Sequence, residues 1–240
     1  MVALLKPGKG SNEAKNYRPI SLLSHLFKAL ERLVLNRISS KIDEALIKEQ
    51  AGFRPGKSCC GQILNLTQYI EDGYEKGLVT GVAFLDLSAA YDTVNLKLLA
   101  QKVFKLTKDY KLTQFIKCIL QNRRFMVSLQ NKNSRWRNQK NGLPQGSVLA
   151  PLLFNIYTND QPMNAYSRKF IYADDTAVAA QAKTFEAVKE KLNKALDELA
   201  LYYDDNYLKP NPSKSQVCAF HLKNRQARRK LRVVWRSEVL

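Results

Sequence analysis

Asp174 and Asp175 stand side by side in Tyr172-Ala173-Asp174-Asp175, between the apolar stretches Phe170 to Tyr172 and Ala177 to Ala180. That pattern predicts strand, tight turn, strand, with the acidic pair at the turn. Two carboxylates held so close repel, and a cation relieves them. Paired aspartates are also common turn formers, so the chemical reading needs a third carboxylate. Asp86 supplies it. The apolar run Val82-Ala83-Phe84-Leu85 leads into Asp86 as a strand buried on both faces would, leaving the carboxylate at its carboxyl end. Three hard oxygen donors on neighbouring strands suit Mg²⁺, which takes carboxylates, waters and substrate phosphates. Two such ions about 3.5–4 Å apart activate an attacking hydroxyl and stabilise the leaving oxygen in phosphoryl transfer. Asp92 lies in a segment of helix-forming composition that Ser88 would cap, and it reads as a local hydrogen-bonding or capping group.

Phe-Leu-Asp-Leu-Ser-Ala-Ala-Tyr-Asp (84–92), Gly-Leu-Pro-Gln-Gly-Ser (142–147) and Tyr-Ala-Asp-Asp (172–175) resemble three successive motifs of a reverse transcriptase palm. Asn16 to Leu22, Gln50 to Gly56 and Asn211 to Lys214 resemble the flanking blocks. Six motifs in order are specific where one alone is not. The resemblance runs from about Lys6 to about Phe220 and is to the reverse transcriptases of non-LTR (LINE-type) retrotransposons, close to the jockey-like elements. It implies an α+β fold: fingers and palm, with an antiparallel palm sheet packed on helices and the thumb absent. Residues 1–80 would be fingers-like, 81–220 the palm and 221–240 a basic C-terminal segment. It also implies RNA-directed DNA synthesis, adding dNTPs to a DNA primer on an RNA template. Two Mg²⁺ ions, or Mn²⁺ in their place, would sit on Asp86, Asp174 and Asp175.

The same resemblance gives other residues work. Tyr91 would stack under the incoming sugar and exclude a 2′-hydroxyl, a core tyrosine being the plain alternative. Gln145 sits in a glycine-flanked loop where backbone and amide can approach a nucleotide. Arg54 and Lys57, in a glycine-rich loop, would meet triphosphate oxygens, since guanidinium forks suit phosphate. Arg18 would contact template or triphosphate. Lys214 stands where the family has a lysine that protonates pyrophosphate; an exposed strand-edge lysine is the alternative.

A formal charge of +18 and a pI near 9.8 predict a polyanionic partner. Between Lys111 and Asn159 there are eight Lys or Arg and no acid, and from His221 to Arg236 seven more, again without acid. Phe125, Trp136 and Trp235 interleave them, as on a surface that tracks a nucleic-acid backbone. Arg123, Arg124, Arg135, Arg137, Lys140, Arg228, Arg229 and Lys230 are the candidates for that surface. Four cysteines without Cys-x-x-Cys spacing and only two histidines argue against zinc and for reduced thiols. No apolar run is long enough to span a bilayer and no secretory pattern opens the chain, so an intracellular, non-membrane protein is expected. The resemblance adds the nucleus, and as further partners the endonuclease and thumb regions of a longer element.

Alternatives remain at this point. A truncated remnant would bind RNA or DNA without turnover. An RNA-dependent RNA polymerase shares the palm carboxylates but needs room where Tyr91 stands. A two-metal nuclease leaves the 142–147 loop without a role.

The elements that must carry these residues follow from periodicity. Leu22, Leu23, Leu26, Leu30, Leu33, Val34 and Ile38 make a helical stripe over 21–47, capped by Ser21 and read as core. Helices are expected over Ile63 to Tyr74, over most of 95–120, from about Val148 and over Thr184 to Tyr203, the last with Phe185, Val188, Leu192, Ala195, Leu196, Leu199 and Tyr203 on one face. Strands are expected over 124–129 and, last, over Gln216 to Phe220.

Overall fold

Apolar runs punctuated by Gly, Asn and Asp fold in the computed structural model, which describes residues 1–226, 228–236 and 238–240. The elements in chain order are β1 (Val2–Leu5), β2 (Tyr17–Ile20), α1 (His25–Ala45), α2 (Cys59–Glu75), β3 (Val79–Leu85), α3 (Ala90–Thr93), α4 (Leu96–Thr107) and α5 (Tyr110–Leu120). Then come β4 (Arg123–Phe125), β5 (Ser128–Leu129), β6 (Lys132–Asn133), β7 (Arg137–Gln139), α6 (Ala150–Tyr157), β8 (Arg168–Tyr172) and β9 (Asp175–Ala182). The chain ends with α7 (Phe185–Asp205), β10 (Gln216–Phe220), β11 (Val234–Trp235) and β12 (Glu238–Val239). Contacts divide the chain into two compact units interleaved in sequence, residues 1–45 with 91–157 and residues 46–90 with 158–240.

The second unit is built on a fully antiparallel sheet in the order β10-β3-β9-β8. Its faces are assigned by two glycines. A Cβ on Gly73 of α2 would press on Thr80 of β3, whereas a Cβ on Gly81 would press on Val188 and Leu192 of α7. Adjacent strand residues point to opposite faces, so α2 covers one face and α7 the other. That double cover is why β3 reads as an unbroken apolar run rather than an alternating one. On the α2 face Val82, Phe170, Ala177 and Ala179 pack with Leu66, Tyr69 and Ile70. α7 buries Phe185, Val188, Leu192, Ala195, Leu196, Leu199 and Tyr203, the seven residues of its predicted stripe, behind a Thr184 N-cap.

The first unit packs α4 against α5 and α6 and carries the small sheet β2-β1-β5-β6, in which β1 runs parallel to β5. Several expectations are corrected here. α1 starts at His25, with Ser24 Oγ accepting from the Phe27 N–H, while Ser21 is buried and its N–H donates to the Gln145 carbonyl. The α1 stripe is not core: Leu22, Leu26, Leu30 and Leu33 are exposed, and Glu31 and Ile42 are the buried residues. The span 95–120 is mainly helical as expected, in two helices that break where Lys108 takes a φ of 54° and Asp109 caps α5. The 124–129 strand divides between β4 and β5, in different sheets. α2 begins four residues earlier than Ile63, behind a Ser58 cap, and α6 begins only at Ala150. Ser88 caps nothing: its N–H donates to the Lys209 carbonyl, and Ala89 at φ 50° delays the start of the one-turn α3. β1, β2, β11 and β12 carried no alternation long enough to be read. Among the described residues no helix is long and apolar enough to cross a membrane.

Lys169 is the buried charge that the second unit must carry. It lies on β8 at 3% exposure, donates Nζ to the Pro162 carbonyl, and burial pulls its pKa down to about 8 against the partial compensation of Glu198 and Glu49. A base whose folded pKa is lowered destabilises the fold while it is charged, and the penalty disappears between the folded pKa and the unfolded value of about 10.4. Lys169→Met should therefore gain on the wild type by up to ~3 kcal/mol at pH 7 relative to pH 10.5. Urea midpoints of both proteins across that range check it; a constant difference would show that Lys169 carries no such penalty.

Candidate active site

Strand register delivers the carboxylates. The β3–β9 ladder ends on Leu85 opposite Thr176, so the next residues beyond it are Asp86 on one strand and Asp175 on the other. The β8–β9 hairpin closes on Tyr172 opposite Asp175, which leaves Ala173 and Asp174 as its two-residue turn. All three aspartates thus gather at one end of one sheet. Burial raises the Asp174 pKa, and the Asp86 charge raises it further; Asp175 is raised by burial, then by Asp174 and Asp86. The crowding expected of these residues is present. Beside Asp175 opens a cavity of about 310 Å³ lined by Phe84, Phe170, Tyr172 and Ile63.

Asp86 is tied down on both sides. Its N–H donates to Ser215 Oγ (3.2 Å) and its carbonyl accepts from the Asn211 N–H (2.9 Å). Asn211 Nδ2 donates to Asp86 Oδ2 (3.0 Å), and Lys214 Nζ lies 3.6 Å from the same oxygen. Lys214 is two-thirds exposed, so the pair is held in a solvated setting that makes it exchangeable. The Asn-Pro-Ser-Lys segment is thereby brought onto the acidic cluster. Asn211 opens one of the family-like blocks of the sequence, but its contact with Asp86 was not legible, since an asparagine before proline reads as a turn former. Among the described residues no three His, Cys, Asp or Glu side chains close into a ready metal-binding group. The donor set is nonetheless the one a hard cation takes, three mutually repelling carboxylates with a lysine ammonium standing beside one of them.

The hairpin turn is clamped from 46–90. Ala173 has a φ of 59°, at the position where a type II′ hairpin turn takes glycine. Gln50, 2% exposed, donates Nε2 to the Ala173 carbonyl (3.0 Å) and accepts the Ala173 N–H on Oε1 (2.8 Å). Arg54 and Lys57 fold back on this segment: Arg54 donates to the Ile47 and Gln50 carbonyls (2.6 and 3.1 Å), Lys57 to those of Lys48 and Gln50 (2.7 and 3.2 Å).

The other unit holds the remaining candidates. The Tyr91 ring stacks on Phe154 of α6, centroids 4.9 Å apart and planes 9° off parallel, and its carbonyl accepts from the Leu143 N–H (2.8 Å). Gln145 hydrogen-bonds the Asp92 carboxyl, whose pKa burial raises against that bond. Asp92 is therefore not a purely local group, for a Cβ on Gly142 would also meet its carbonyl oxygen. Glu31 fixes the end of the same loop, accepting from Ser147 Oγ and from the Val148 N–H (2.9 Å). Glu31 was not legible, and Gln50 was legible only as the first residue of a family-like block and not for its role, because a polar residue in an amphipathic helix or loop looks solvated.

The basic residues fall into two kinds. Arg124, Arg135, Arg137, Lys140, Arg228 and Lys230 are exposed, with Arg124 lying over the Trp136 ring, and Arg18 is exposed on β2. Arg123 is half-buried and donates to the Leu120 and Gly142 carbonyls, and Arg229 pairs with Glu186 over the Phe185 ring.

Residues 5–235 match the reverse transcriptase (RNA-dependent DNA polymerase) family. The chain is 38% identical over 93% of its length to a probable RNA-directed DNA polymerase from transposon BS of Drosophila melanogaster, of which it covers 26%. It is 35% identical over 82% of its length to the RNA-directed DNA polymerase from mobile element jockey of Drosophila funebris, covering 22%. The chain thus spans about a quarter of the length of the curated relatives it matches. Apo telomerase from Candida tropicalis shares the fold at a TM-score of 0.61 and 12% identity, over 82% of this chain and 37% of that one.

Charge crowding has a measurable consequence. A carboxyl whose folded pKa is raised destabilises the fold once ionised, so stability falls as pH rises from the unfolded pKa through the folded one. Asp174→Asn should have a higher thermal midpoint than wild type in chelator at pH 7, with the gap closing towards about pH 4. Equal midpoints at both pH values would show that the ionised Asp174 carboxyl carries no such penalty.

Proposed function

The chain belongs to the reverse transcriptase (RNA-dependent DNA polymerase) family, and from that premise we propose that it is the polymerase region of a non-LTR retrotransposon enzyme. On this reading it adds dNTPs to a DNA primer on an RNA template. The observation that carries the proposal is the gathering of Asp86, Asp174 and Asp175 at one end of one sheet, where the Asp86 charge adds to burial in raising the pKa of both Asp174 and Asp175.

Asp86, Asp174 and Asp175 are the residues that would hold Mg²⁺ or Mn²⁺, which when bound supplies charge neutralisation on the phosphates and a more acidic primer hydroxyl. Lys214, solvated beside Asp86, would be the group that gives its proton to the departing pyrophosphate. Tyr91, its ring seated on Phe154, meets the sugar edge and excludes a 2′-hydroxyl. Gln145, tied to Asp92 and carried by a loop that Ser21 and Glu31 fix, lies along the nucleotide. Arg54, Lys57 and Arg18 belong to the triphosphate and template contacts, for which Arg54 and Lys57 must trade carbonyl oxygens for phosphate.

Arg124, Arg135, Arg137 and Lys140, with Arg228 and Lys230, offer exposed charge to the template–primer backbone, where phosphate contacts dominate affinity. Arg123 and Arg229 join that surface with their guanidinium groups already engaged within the chain. The division into fingers (1–80), palm (81–220) and basic segment (221–240) goes with this reading, as do endonuclease and thumb regions of a longer element as partners, and the nucleus as compartment.

Primer extension on poly(rA)–oligo(dT), together with Mn²⁺ calorimetry, tests the proposal. Asp86→Ala and Asp174→Ala should each lose Mn²⁺ binding and at least about 10²-fold in rate, the scale seen when a pre-organised electrostatic group is removed. Wild-type Mn²⁺ binding and extension in either variant would contradict the site. Tyr91→Ala should raise incorporation of ribonucleotides relative to deoxynucleotides severalfold while DNA synthesis stays within about tenfold. An unchanged ratio in competition assays would remove Tyr91 from the sugar contact.

A further inference from the structure

We propose that Gln50 is a positioning residue for the acidic pair: its side-chain amide holds Ala173 in the left-handed conformation that presents Asp174 and Asp175. The inference rests on the metal-binding reading of those aspartates and adds to it a residue that touches neither ion nor substrate.

Ala173 is the weak point of the hairpin. A Cβ at positive φ crowds the following carbonyl, and glycine is the ordinary solution at this place in a two-residue turn. Ala173 has a φ of 59° and a Cβ nonetheless, and two carboxylates that repel one another follow it directly. Something outside the turn must hold it. The Gln50 amide does so by pairing with both polar groups of the Ala173 backbone, N–H to Oε1 at 2.8 Å and Nε2–H to carbonyl at 3.0 Å.

The clamp is itself fixed. Oε1 also accepts the Gly52 N–H (2.8 Å), so a flipped amide would point its two donors at two N–H groups. The Gln50 backbone pairs with β8 in a parallel bridge to Ile171, with the Ala51 N–H donating to the Ile171 carbonyl (2.9 Å) and the Ile171 N–H to the Glu49 carbonyl (3.2 Å). Gly52 lies so close that an added Cβ would collide with the Ala173 nitrogen. The segment 49–52 thus bears on the turn at full contact and brings an amide with no route to water. A buried amide whose bonds all go to one strained turn and to its own support has its work in that turn.

Gln50→Met keeps length and removes every hydrogen bond; Gln50→Glu keeps the acceptor and loses the donor. Ala173→Gly removes the Cβ that the left-handed turn must accommodate, and so relieves the need for a clamp. Gln50→Met should weaken Mn²⁺ binding, read by calorimetry, by about 10- to 100-fold. It should lower kcat for primer extension in parallel, at unchanged KM for dNTP. Gln50→Glu should fall between wild type and Gln50→Met. Adding Ala173→Gly to Gln50→Met should recover most of the loss, which a general destabilisation of the fold would not permit. Wild-type Mn²⁺ affinity and kcat in Gln50→Met overturn the inference, as does a loss that Ala173→Gly leaves untouched. If the wild type itself shows no Asp174-dependent Mn²⁺ binding, the metal reading fails, and hydrogen exchange of the metal-free protein decides the clamp. Faster exchange at the Asp174 and Asp175 amides in Gln50→Met, reversed by Ala173→Gly, supports it; unchanged exchange overturns it.

Discussion

Three negative charges are forced together where β3 and the β8–β9 hairpin end, and the surrounding structure is arranged to tolerate this. Repulsion between carboxylates at close range in a half-buried setting opposes folding, and it is offset only by counter-charge or by a rigid frame. The frame comes from register: one antiparallel ladder fixes Asp86 and Asp175, and one hairpin fixes Asp174 and Asp175. Slipping the β3 pairing by one residue would put a side chain where Gly81 lies against Val188 and Leu192, so packing on α7 indirectly secures the carboxylates. The counter-charge comes from Lys214, held near Asp86 by a short segment anchored through Asn211 and Ser215.

Two of the places where the chain breaks local conformational rules lie next to these charges. Ala173 and Ala89 both adopt positive φ without being glycine, one inside the acidic turn and the other between Asp86 and α3. Strained backbone of this kind persists only when its surroundings over-determine it. At Ala173 the surroundings can be named: a buried glutamine amide and a glycine packed against the turn backbone. The same logic recurs at the 142–147 loop, where Glu31 takes the Ser147 hydroxyl and the Val148 N–H while Ser21 takes the Gln145 carbonyl. The acidic turn and the 142–147 loop are thus each seated by residues from an earlier part of the chain, and Asp86 by residues from a later one.

Much of this was legible in the sequence. The seven-residue stripe of α7, the last strand of the sheet and the hairpin at the acidic pair all follow from periodicity and turn chemistry, because there local pattern and tertiary burial agree. Failures came where they do not. The leucines of α1 have helical spacing yet face outward, and periodicity reports that a face is apolar without saying what covers it. Ser88 has the composition of a cap but is drawn off by the Lys209 carbonyl, a long-range bond that no local signal contains. The roles of Gln50, Asn211 and Glu31 escaped for a related reason. Their value lies in pairing with backbone or carboxylate groups up to 125 residues away, and a single polar letter does not announce its partner.

The central claim is that Asp86, Asp174 and Asp175 form one electrostatic unit built to take a divalent cation. Carboxyl carbon NMR of Asp174 and Asp175, titrated with acid in chelator and again in Mg²⁺, in the wild type and in Asp86→Asn, tests it most directly. The account predicts that both titrate above ordinary aspartate values without metal, that Asp86→Asn lowers both, and that Mg²⁺ lowers both in the wild type. Ordinary titrations that neither Asp86→Asn nor Mg²⁺ moves would contradict it.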